Sequence, residues 1–277
     1  MSGALEFTIL GCGSSGGVPR ADGDWGACDP AEPKNRRRRC SLLVRRVGAD
    51  PDHQTTVLVD TSPDLREQAI AAGVKRIDAV LFTHDHADQA HGIDDLRAFF
   101  LRQRGQIPAH MDAATFTSLH NRFGYIFEPA GGYPAICEGH IIPDHGKPWQ
   151  VNGPNGAIPV MTFDQDHGVI RSVGYRFGNV AYSPDVRELP EASFAALEGL
   201  DVWIVDALRF TPHPTHAHLE RTLSWIERVK PRRAVLTNMH IDMDYNALRA
   251  VLPQNVEPAY DGMVIYALPP RTVGEVA

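Results

Sequence analysis

Histidines and carboxylates gather in one short stretch, THDHADQAHG, which directly follows the apolar run DAVLF. The apolar run predicts a strand that ends near Thr83 and releases His84, His86 and Asp88 into a loop. Because alternate residues leaving a strand end project to one side, His84 and His86 can bind one ion while Asp88 offers a hard oxygen beside it. An isolated H-x-H pattern is common by chance, so a metal site requires further ligands elsewhere in the chain.

Further candidate ligands follow other apolar runs. His167 follows IPVMTFDQD, Asp185 follows NVAYSP and His240 follows RAVLTNM, while Asp60 and Asp206 end the runs TTVLVD and DVWIVD. Any one of them alone is best explained as an ordinary polar loop residue. Loops at one edge of a sheet are where an α/β scaffold collects functional groups, so their joint occurrence favours a metal centre at such an edge.

The elements that position these residues are a mixture of strands and helices. Short apolar runs such as LEFTIL, SLLVRRV and DVWIVD predict strands, and SPDLREQAIAAG and HLERTLSWIERVKP predict helices. This mixture indicates an α/β fold in which helices cover the outer faces of sheets, and we expect one domain over residues 1–277. Residues 123–156 are rich in Gly, Pro and aromatic residues and predict a long loop with two short strands.

A glycine-rich stretch, GCGSSGG, directly follows the first predicted strand. Gly11, Gly13 and Gly16 have the G-x-G-x-x-G spacing of a dinucleotide-binding loop, which must open a helix to bind a pyrophosphate. Val18-Pro19 and the stretch RADGDWGACDP follow instead, and they show no helical period. The sequence therefore predicts another role for these glycines.

Composition limits the classes of partner. The chain has 277 residues and a formal net charge of -7, which argues against a surface for long nucleic acids. The basic run at residues 36–39 is interpreted as a solvated loop, with phosphate contact as the alternative. No apolar run reaches the length of a membrane span and the first residues do not form a secretion signal, so we expect a cytoplasmic protein without a membrane partner. The four scattered cysteines are interpreted as reduced thiols.

Eight segments together resemble the metallo-β-lactamase-fold hydrolases: GCGSSGGVP, VLVD, THDHAD, DHG, YSPD, THAHLERTL, LTNMH and YDGM. The similarity is greatest to the phosphodiesterase branch that contains tRNase Z and the phosphoribosyl cyclic phosphate phosphodiesterase of the carbon-phosphorus lyase pathway. This resemblance implies an αββα sandwich with a dinuclear metal site at one edge. It also implies that the glycine-rich loop passes close to that site, where glycines permit backbone approach.

The resemblance also implies roles for individual residues. His84, His86 and His167 would bind the first metal ion, Asp185 would bridge both ions and Asp88 would bind the second. Asp88 would also act in catalysis by orienting the attacking hydroxide, and His216 in THAHLE would protonate the leaving oxygen. Asp60 would support a ligand histidine from behind.

Two positions depart from the family's pattern, and both fall on the second metal. Gln89 stands at the last position of H-x-H-x-D-H, and Asn238 stands where a strand-end histidine is expected. We predict His240 as the replacement ligand and place His91 in the outer shell. An oxygen-rich second position admits manganese as well as zinc. A protein with only one tightly held metal is the alternative.

These observations predict a phosphodiesterase with two divalent metal ions, zinc or manganese, that hydrolyses a small (cyclic) phosphoribosyl or nucleotide substrate. The chain would act as a monomer or a homodimer, since the sequence leaves the oligomeric state open. Two alternatives remain, because a fold does not determine its chemistry. One is a lactone or thioester hydrolase, and the other is a non-catalytic ligand-binding accessory protein, which the altered second-metal ligands would fit.

Overall fold

Two seven-stranded sheets form the centre of the computed structural model, which describes residues 3–48, 50 and 53–267. The first sheet has the order β14-β1-β2-β3-β4-β5-β6 and the second β13-β12-β11-β10-β9-β8-β7. The strands of the first are β1 (Leu5–Gly11), β2 (Ser41–Arg46), β3 (Thr55–Val59), β4 (Ala79–Leu81), β5 (Ile107–Met111), β6 (Cys137–Ile141) and β14 (Val264–Ala267). Those of the second are β7 (Trp149–Val151), β8 (Ile158–Asp166), β9 (Arg171–Phe177), β10 (Val180–Ser183), β11 (Val202–Asp206), β12 (Arg233–Thr237) and β13 (Val256–Pro258).

Each sheet combines an antiparallel half with a parallel half. In the first sheet, β14, β1, β2 and β3 pair antiparallel and β3 to β6 pair parallel. In the second, β7 to β10 pair antiparallel and β10 to β13 pair parallel. The parallel strands run in one direction within each sheet, so the loops that follow them gather at one edge.

Within the part of the chain that the structure describes, seven α-helices cover the sheets. They are α1 (Leu65–Ala71), α2 (Ala87–Ala90), α3 (Leu96–Gln103), α4 (Ala113–Phe127), α5 (Glu191–Ala195), α6 (Leu219–Val229) and α7 (Tyr245–Val251), with 3-10 turns at Pro33–Asn35 and Ile93–Asp95. Successive residues of a strand face opposite sides, so Leu42 and Val44 of β2 enter the core between the sheets while Leu43 packs beneath α1, α3 and α4. The predicted αββα sandwich is confirmed. None of the helices described is long and apolar enough to span a membrane.

The two helices predicted from sequence are confirmed as α1 and α6, and the loop predicted for residues 123–156 starts too early. Residues 123–127 belong to α4, whose N-terminus is capped by Asp112 accepting a hydrogen bond from the Thr115 amide at 2.7 Å. Leu119 and Ile126 bury one face of that helix, and this burial outweighs the low helix propensity of Gly124. The two short strands predicted in this region are β6 and β7.

The glycine-rich loop after β1 packs backbone against backbone. A Cβ at Gly11 would lie 2.0 Å from the carbonyl oxygen of Arg39, and one at Gly13 would lie 3.0 Å from that of Arg37. Gly13 also pairs with Met239, beside the end of β12. The interpretation of residues 36–39 as solvated is wrong for Arg37, which is buried and donates to the Met243 carbonyl oxygen at 2.7 Å. The glycines therefore permit close chain approach near the end of β12.

Replacing Gly11 by alanine is expected to destabilise the protein by about 1–3 kcal/mol, because the added methyl group would force two backbones apart. Urea unfolding followed by circular dichroism measures this change. Gly105→Ala is the matched control, since a Cβ there has no atom within 4 Å. Equal stabilities of the two variants would contradict this account of the glycine-rich loop.

Candidate metal centre

Three histidines from the two sheets converge at the edge where the parallel strands end. His84 and His86 follow β4 and His167 follows β8. The Nε2 atoms of His84 and His167 lie 3.1 and 3.2 Å from His86 Nδ1, and the ring centroids are 4.7, 4.9 and 5.0 Å apart. His84 and His167 are buried, and His86 is more open. The structure therefore brings together the three residues that were predicted to bind the first metal.

Hydrogen bonds on the far side of two rings determine which nitrogen faces the cluster. The Nδ1–H of His167 donates to the carbonyl oxygen of Thr215 at 2.7 Å. The hydroxyl of Thr83 donates to Asp60 Oδ2 at 2.9 Å, so it accepts from His84 Nδ1, which lies 2.9 Å away. In both rings Nε2 therefore keeps a lone pair that points at the cluster, as a metal ligand requires.

Burial keeps two of these rings neutral. It is the main cause that lowers the pKa of His84 well below its usual value, and the neighbouring His167 and His86 add to it. Burial, followed by the charge of His216, lowers the pKa of His167 to about 3. Two nitrogen atoms that are free of protons near neutral pH, with the ring of His86 beside them, fit a divalent ion of the zinc type.

The Thr83 hydroxyl links Asp60 to His84, and the support of a metal ligand by Asp60 stays a prediction. Replacing Thr83 by valine keeps the shape of the side chain but removes the hydroxyl that orients the ring. We expect metal affinity to fall about 10- to 100-fold, the usual effect of removing an outer-shell partner. Competition with a chromophoric chelator measures this affinity. Thr117→Val on the exposed face of α4 is the control, and an equal affinity in both variants would contradict the role of Thr83.

A buried carboxylate lies beside the histidines. Asp185 Oδ1 is 4.0 Å from His167 Nε2 and 3.8 Å from His216 Nδ1, and these three side chains form a second group that could hold an ion. Burial raises the pKa of Asp185 well above its usual value; the charge of His216 opposes this rise, and that of Asp88 adds to it. A cation at this position would favour the ionised carboxylate.

Two amides occupy the positions where the family's pattern has histidines. Gln89 Nε2 donates to Asp185 Oδ2 at 2.9 Å, and Asn238 Nδ2 lies 3.4 Å from Asp185 Oδ1. The Gln89 Oε1 atom is buried and has no hydrogen-bond partner within the described residues. An unpartnered amide oxygen is a hard donor of the kind that manganese accepts. The donor atoms at this position therefore include more oxygen atoms than those of the three histidines.

His216 is paired with the carboxylate of Asp206, a residue for which the sequence predicted no role. Its Nδ1 lies 2.9 Å from Oδ2 of Asp206, which is fully buried at the end of β11. Burial works against a charged imidazole, but the charge and hydrogen bond of Asp206, with the charges of Asp185 and Asp88, raise the pKa of His216 to about 9. These carboxylates therefore favour the protonated imidazole of His216.

The remaining predicted residues lie at different places. Asp88 lies in the first turn of α2, with Oδ2 3.4 Å from Gln89 Nε2. His240 does not join the cluster: its Nε2 lies 2.6 Å from an Arg20 nitrogen and its Nδ1 lies 2.9 Å from Asp242 Oδ1. A ligand role for His240 stays a prediction from sequence, because both of its ring nitrogens have other partners in this arrangement.

His91 lies outside the centre, with its ring edge-on to that of Phe123. Two groups in contact with predicted residues were missed, the Thr83 hydroxyl and the Arg20 guanidinium, and neither carries a sequence signal of its own. Asp206 was identified by its strand-end position but without a functional role. Arg20 meets His240 because the loop after β1 folds back against the segment after β12.

Comparison with known proteins agrees with this fold. The sequence profile of the beta-lactamase superfamily domain matches residues 55–241. Two sheets between helical layers, with histidines and aspartates at one edge, define a hydrolase of the metallo-β-lactamase fold. The chain belongs to the beta-lactamase superfamily, in its phosphodiesterase branch.

Three similar proteins were compared with this chain. A crystal structure described as a new diphosphatase from the PhnP family is 34% identical, has a TM-score of 0.82 and aligns over 94% of this chain and 97% of its own. The Zn(2+)-bound PqqB of Methylobacterium extorquens is 18% identical with a TM-score of 0.70, over 94% and 99% of the two chains, which shows the fold. The octanoyltransferase of Porphyromonas gingivalis is 28% identical over 94% of this chain, but the chain spans only 51% of that protein.

Proposed function

We propose that this protein is a metal-dependent phosphodiesterase that acts on a small phosphorylated ribose or nucleotide. The observation that carries the proposal is the Asp206–His216 pair, which lies beside Asp185 and the three histidines. A charged imidazole at this place can donate a proton to a leaving oxygen or balance the charge of a phosphoryl group. The 34% identical diphosphatase supports a phosphate ester or phosphate anhydride as the bond that is cleaved.

The ligand atoms of the site support two divalent ions, and the two groups of ligand atoms favour different metals. His84, His86 and His167 offer three nitrogen atoms and favour zinc, while Asp88, Asp185 and the Gln89 amide oxygen offer hard donors and favour manganese. Asp185 would contact both ions. Divalent ions at such a site lower the pKa of water toward neutrality and stabilise negative charge on a phosphoryl oxygen.

The side chains of the site divide the remaining work. His216 holds the proton that the leaving oxygen requires, and Asp206 keeps its ring in place through the 2.9 Å hydrogen bond. Asp88 is close enough for its charge to act on Asp185 and His216, and its carboxylate can orient the attacking oxygen. The buried Asp60 and Thr83 hold His84 in the orientation described above.

Hydrolysis of bis(p-nitrophenyl) phosphate tests the proposal. The purified protein is stripped with a chelator, reloaded with zinc or manganese and assayed beside a stripped sample, and bound metal is counted by inductively coupled plasma mass spectrometry. We expect turnover that depends on the metal and up to two ions per chain. Hydrolysis of an octanoyl thioester in the same preparation tests the acyl chemistry to which the octanoyltransferase similarity points.

Each result leads to a different conclusion. Turnover of the phosphodiester without turnover of the thioester supports the proposal. Turnover of the thioester alone would replace it with an acyl hydrolase. Absence of both activities, with a single ion bound, would overturn the proposal in favour of a ligand-binding protein.

A further inference from the structure

Arg20 is a cationic side chain that the proposed reaction does not use. It lies in the loop after β1, and its guanidinium NH2 is 2.6 Å from His240 Nε2. A guanidinium only donates hydrogen bonds, so His240 accepts through Nε2 and carries its proton on Nδ1, which donates to Asp242 Oδ1 at 2.9 Å. Asp242 thus orients His240, and His240 orients Arg20.

The remaining donors of Arg20 are available to a ligand. Its contact with His240 is the sole side-chain hydrogen bond of Arg20 among the described residues. Asp24 lies 3.7 Å from NH1, which is an ion pair between side chains that are 42% and 47% exposed. Pairs of this kind contribute little to stability, so an anion of higher charge can displace Asp24.

Backbone hydrogen bonds fix the position of the loop that carries Arg20. Ser14, before Arg20, donates its amide to the Met239 carbonyl at 3.2 Å, and Ala27, after it, donates to the Ile241 carbonyl at 2.9 Å. The loop is therefore tied to the segment that contains His240 on both sides of Arg20.

The segment that contains His240 is in turn tied to His216. The His240 amide donates to the Leu208 carbonyl at 2.9 Å, and the Leu208 amide donates to the carbonyl of Ala217, the residue after His216, at 3.0 Å. Two residues before His240, Asn238 Nδ2 lies 3.0 Å from His216 Nδ1. Arg20 and His216 therefore lie on segments that are hydrogen-bonded to one another through the segment of His240. We call these three segments, which follow β1, β11 and β12, the rim.

A second ring extends this rim. His213 lies next to His216, with ring centroids 5.2 Å apart. Burial lowers the pKa of His213, and the positive charges of His216 and Arg209 lower it further. Positive groups are thus concentrated here on a chain whose net charge is -7, which focuses the local field on an anion.

We propose that Arg20, positioned by His240 and Asp242, binds a second phosphate of the substrate beside the phosphate that is attacked. The inference rests on the proposed function and narrows its substrate class to compounds with two adjacent phosphates, such as nucleoside diphosphate derivatives. A planar guanidinium donates two parallel hydrogen bonds to one phosphate group, which a point charge cannot do. His213 lies on the same rim as a further donor to that group.

Calorimetric titration with inorganic pyrophosphate and inorganic phosphate tests the proposal on the metal-loaded protein. In Arg20→Met we expect the Kd for pyrophosphate to rise about tenfold or more, and the Kd for phosphate to change much less. Arg20→Lys should recover only part of the lost affinity for pyrophosphate, because lysine restores the positive charge but not the planar pair of N–H donors. Asp242→Asn should give a smaller loss in the same direction.

Arg66→Met is the matched control, since that side chain is 70% exposed and pairs with Glu67. Equal losses for pyrophosphate and phosphate in Arg20→Met, or no loss for either, would overturn the subsite. Hydrolysis of bis(p-nitrophenyl) phosphate, which has one phosphate, is measured in parallel. A selective loss of pyrophosphate binding in a protein that hydrolyses no phosphodiester would uphold the subsite and reject the proposed function.

Discussion

Replacing Asp185 by asparagine is expected to lower kcat/KM for bis(p-nitrophenyl) phosphate by at least about a hundredfold, since the loss of one preorganised group at a reacting centre costs about 10²–10³. Asparagine keeps the shape of the side chain and removes its charge. Asp185 is the carboxylate that lies within 4.0 Å of His167 and 3.8 Å of His216. Its neutralisation therefore weakens both the binding of metal and the pairing with His216.

The measurement combines steady-state kinetics with a count of bound metal. Asp164→Asn is the matched control. Asp164 lies on β8, the strand that ends directly before His167, and its carboxylate pairs with Arg171 at the surface. We expect the control to keep wild-type activity. If Asp185→Asn retained most of its activity with its full complement of metal, the site would lie elsewhere.

Replacing His216 by glutamine is expected to lower kcat by about 10²–10⁴, the usual contribution of a general acid. The three-histidine cluster is left intact, so zinc content should stay close to that of the wild type. Because the Asp206 carboxylate, against the effect of burial, raises the pKa of His216 to about 9, the imidazole is protonated below this pH. Activity that depends on its proton is therefore present at neutral pH and lost as the pH rises through this pKa.

Asp206→Asn tests the direction in which Asp206 shifts the pKa of His216. Removal of the charge that raises the pKa of His216 must lower it, so the basic limb of the kcat profile should move to lower pH. In the metal-free protein, the imidazole resonances of His216 should titrate near pH 9 in the wild type and at lower pH in the variant. His218→Gln serves as the control for the loss of a nearby histidine at the start of α6. A basic limb that did not move in Asp206→Asn would reject His216 as the proton donor.

The sequence was sufficient to predict the residues at the ends of apolar strands. An apolar run that stops at a polar residue defines both a buried strand and the point where its loop begins, so His84, His86, His167 and Asp185 could be assigned to one edge. The fold class followed from the same runs and from the helices that separate them. These inferences use only local patterns and the geometry of a sheet.

The position of His240 could not be predicted in this way. Alternation along an extended chain would place residues 238 and 240 on the same side. Asn238 has a φ of 59°, in the left-handed region, so the chain turns there and alternation stops. His240 then faces Arg20, which is 220 residues away from it in the sequence. Such a partner is decided by tertiary packing, and no local pattern encodes it.

The three-histidine cluster draws its members from both halves of the molecule. His84 and His86 extend from the first sheet, and His167 extends from the second. An ion held there acts as a cross-link between the sheets that exists only in the folded chain. Ligands that bind only the folded state stabilise it by mass action, by about 2.7 kcal/mol when free ion exceeds Kd a hundredfold. The melting temperature of this protein should therefore rise with metal occupancy, and chelation should loosen the seam between its two halves first.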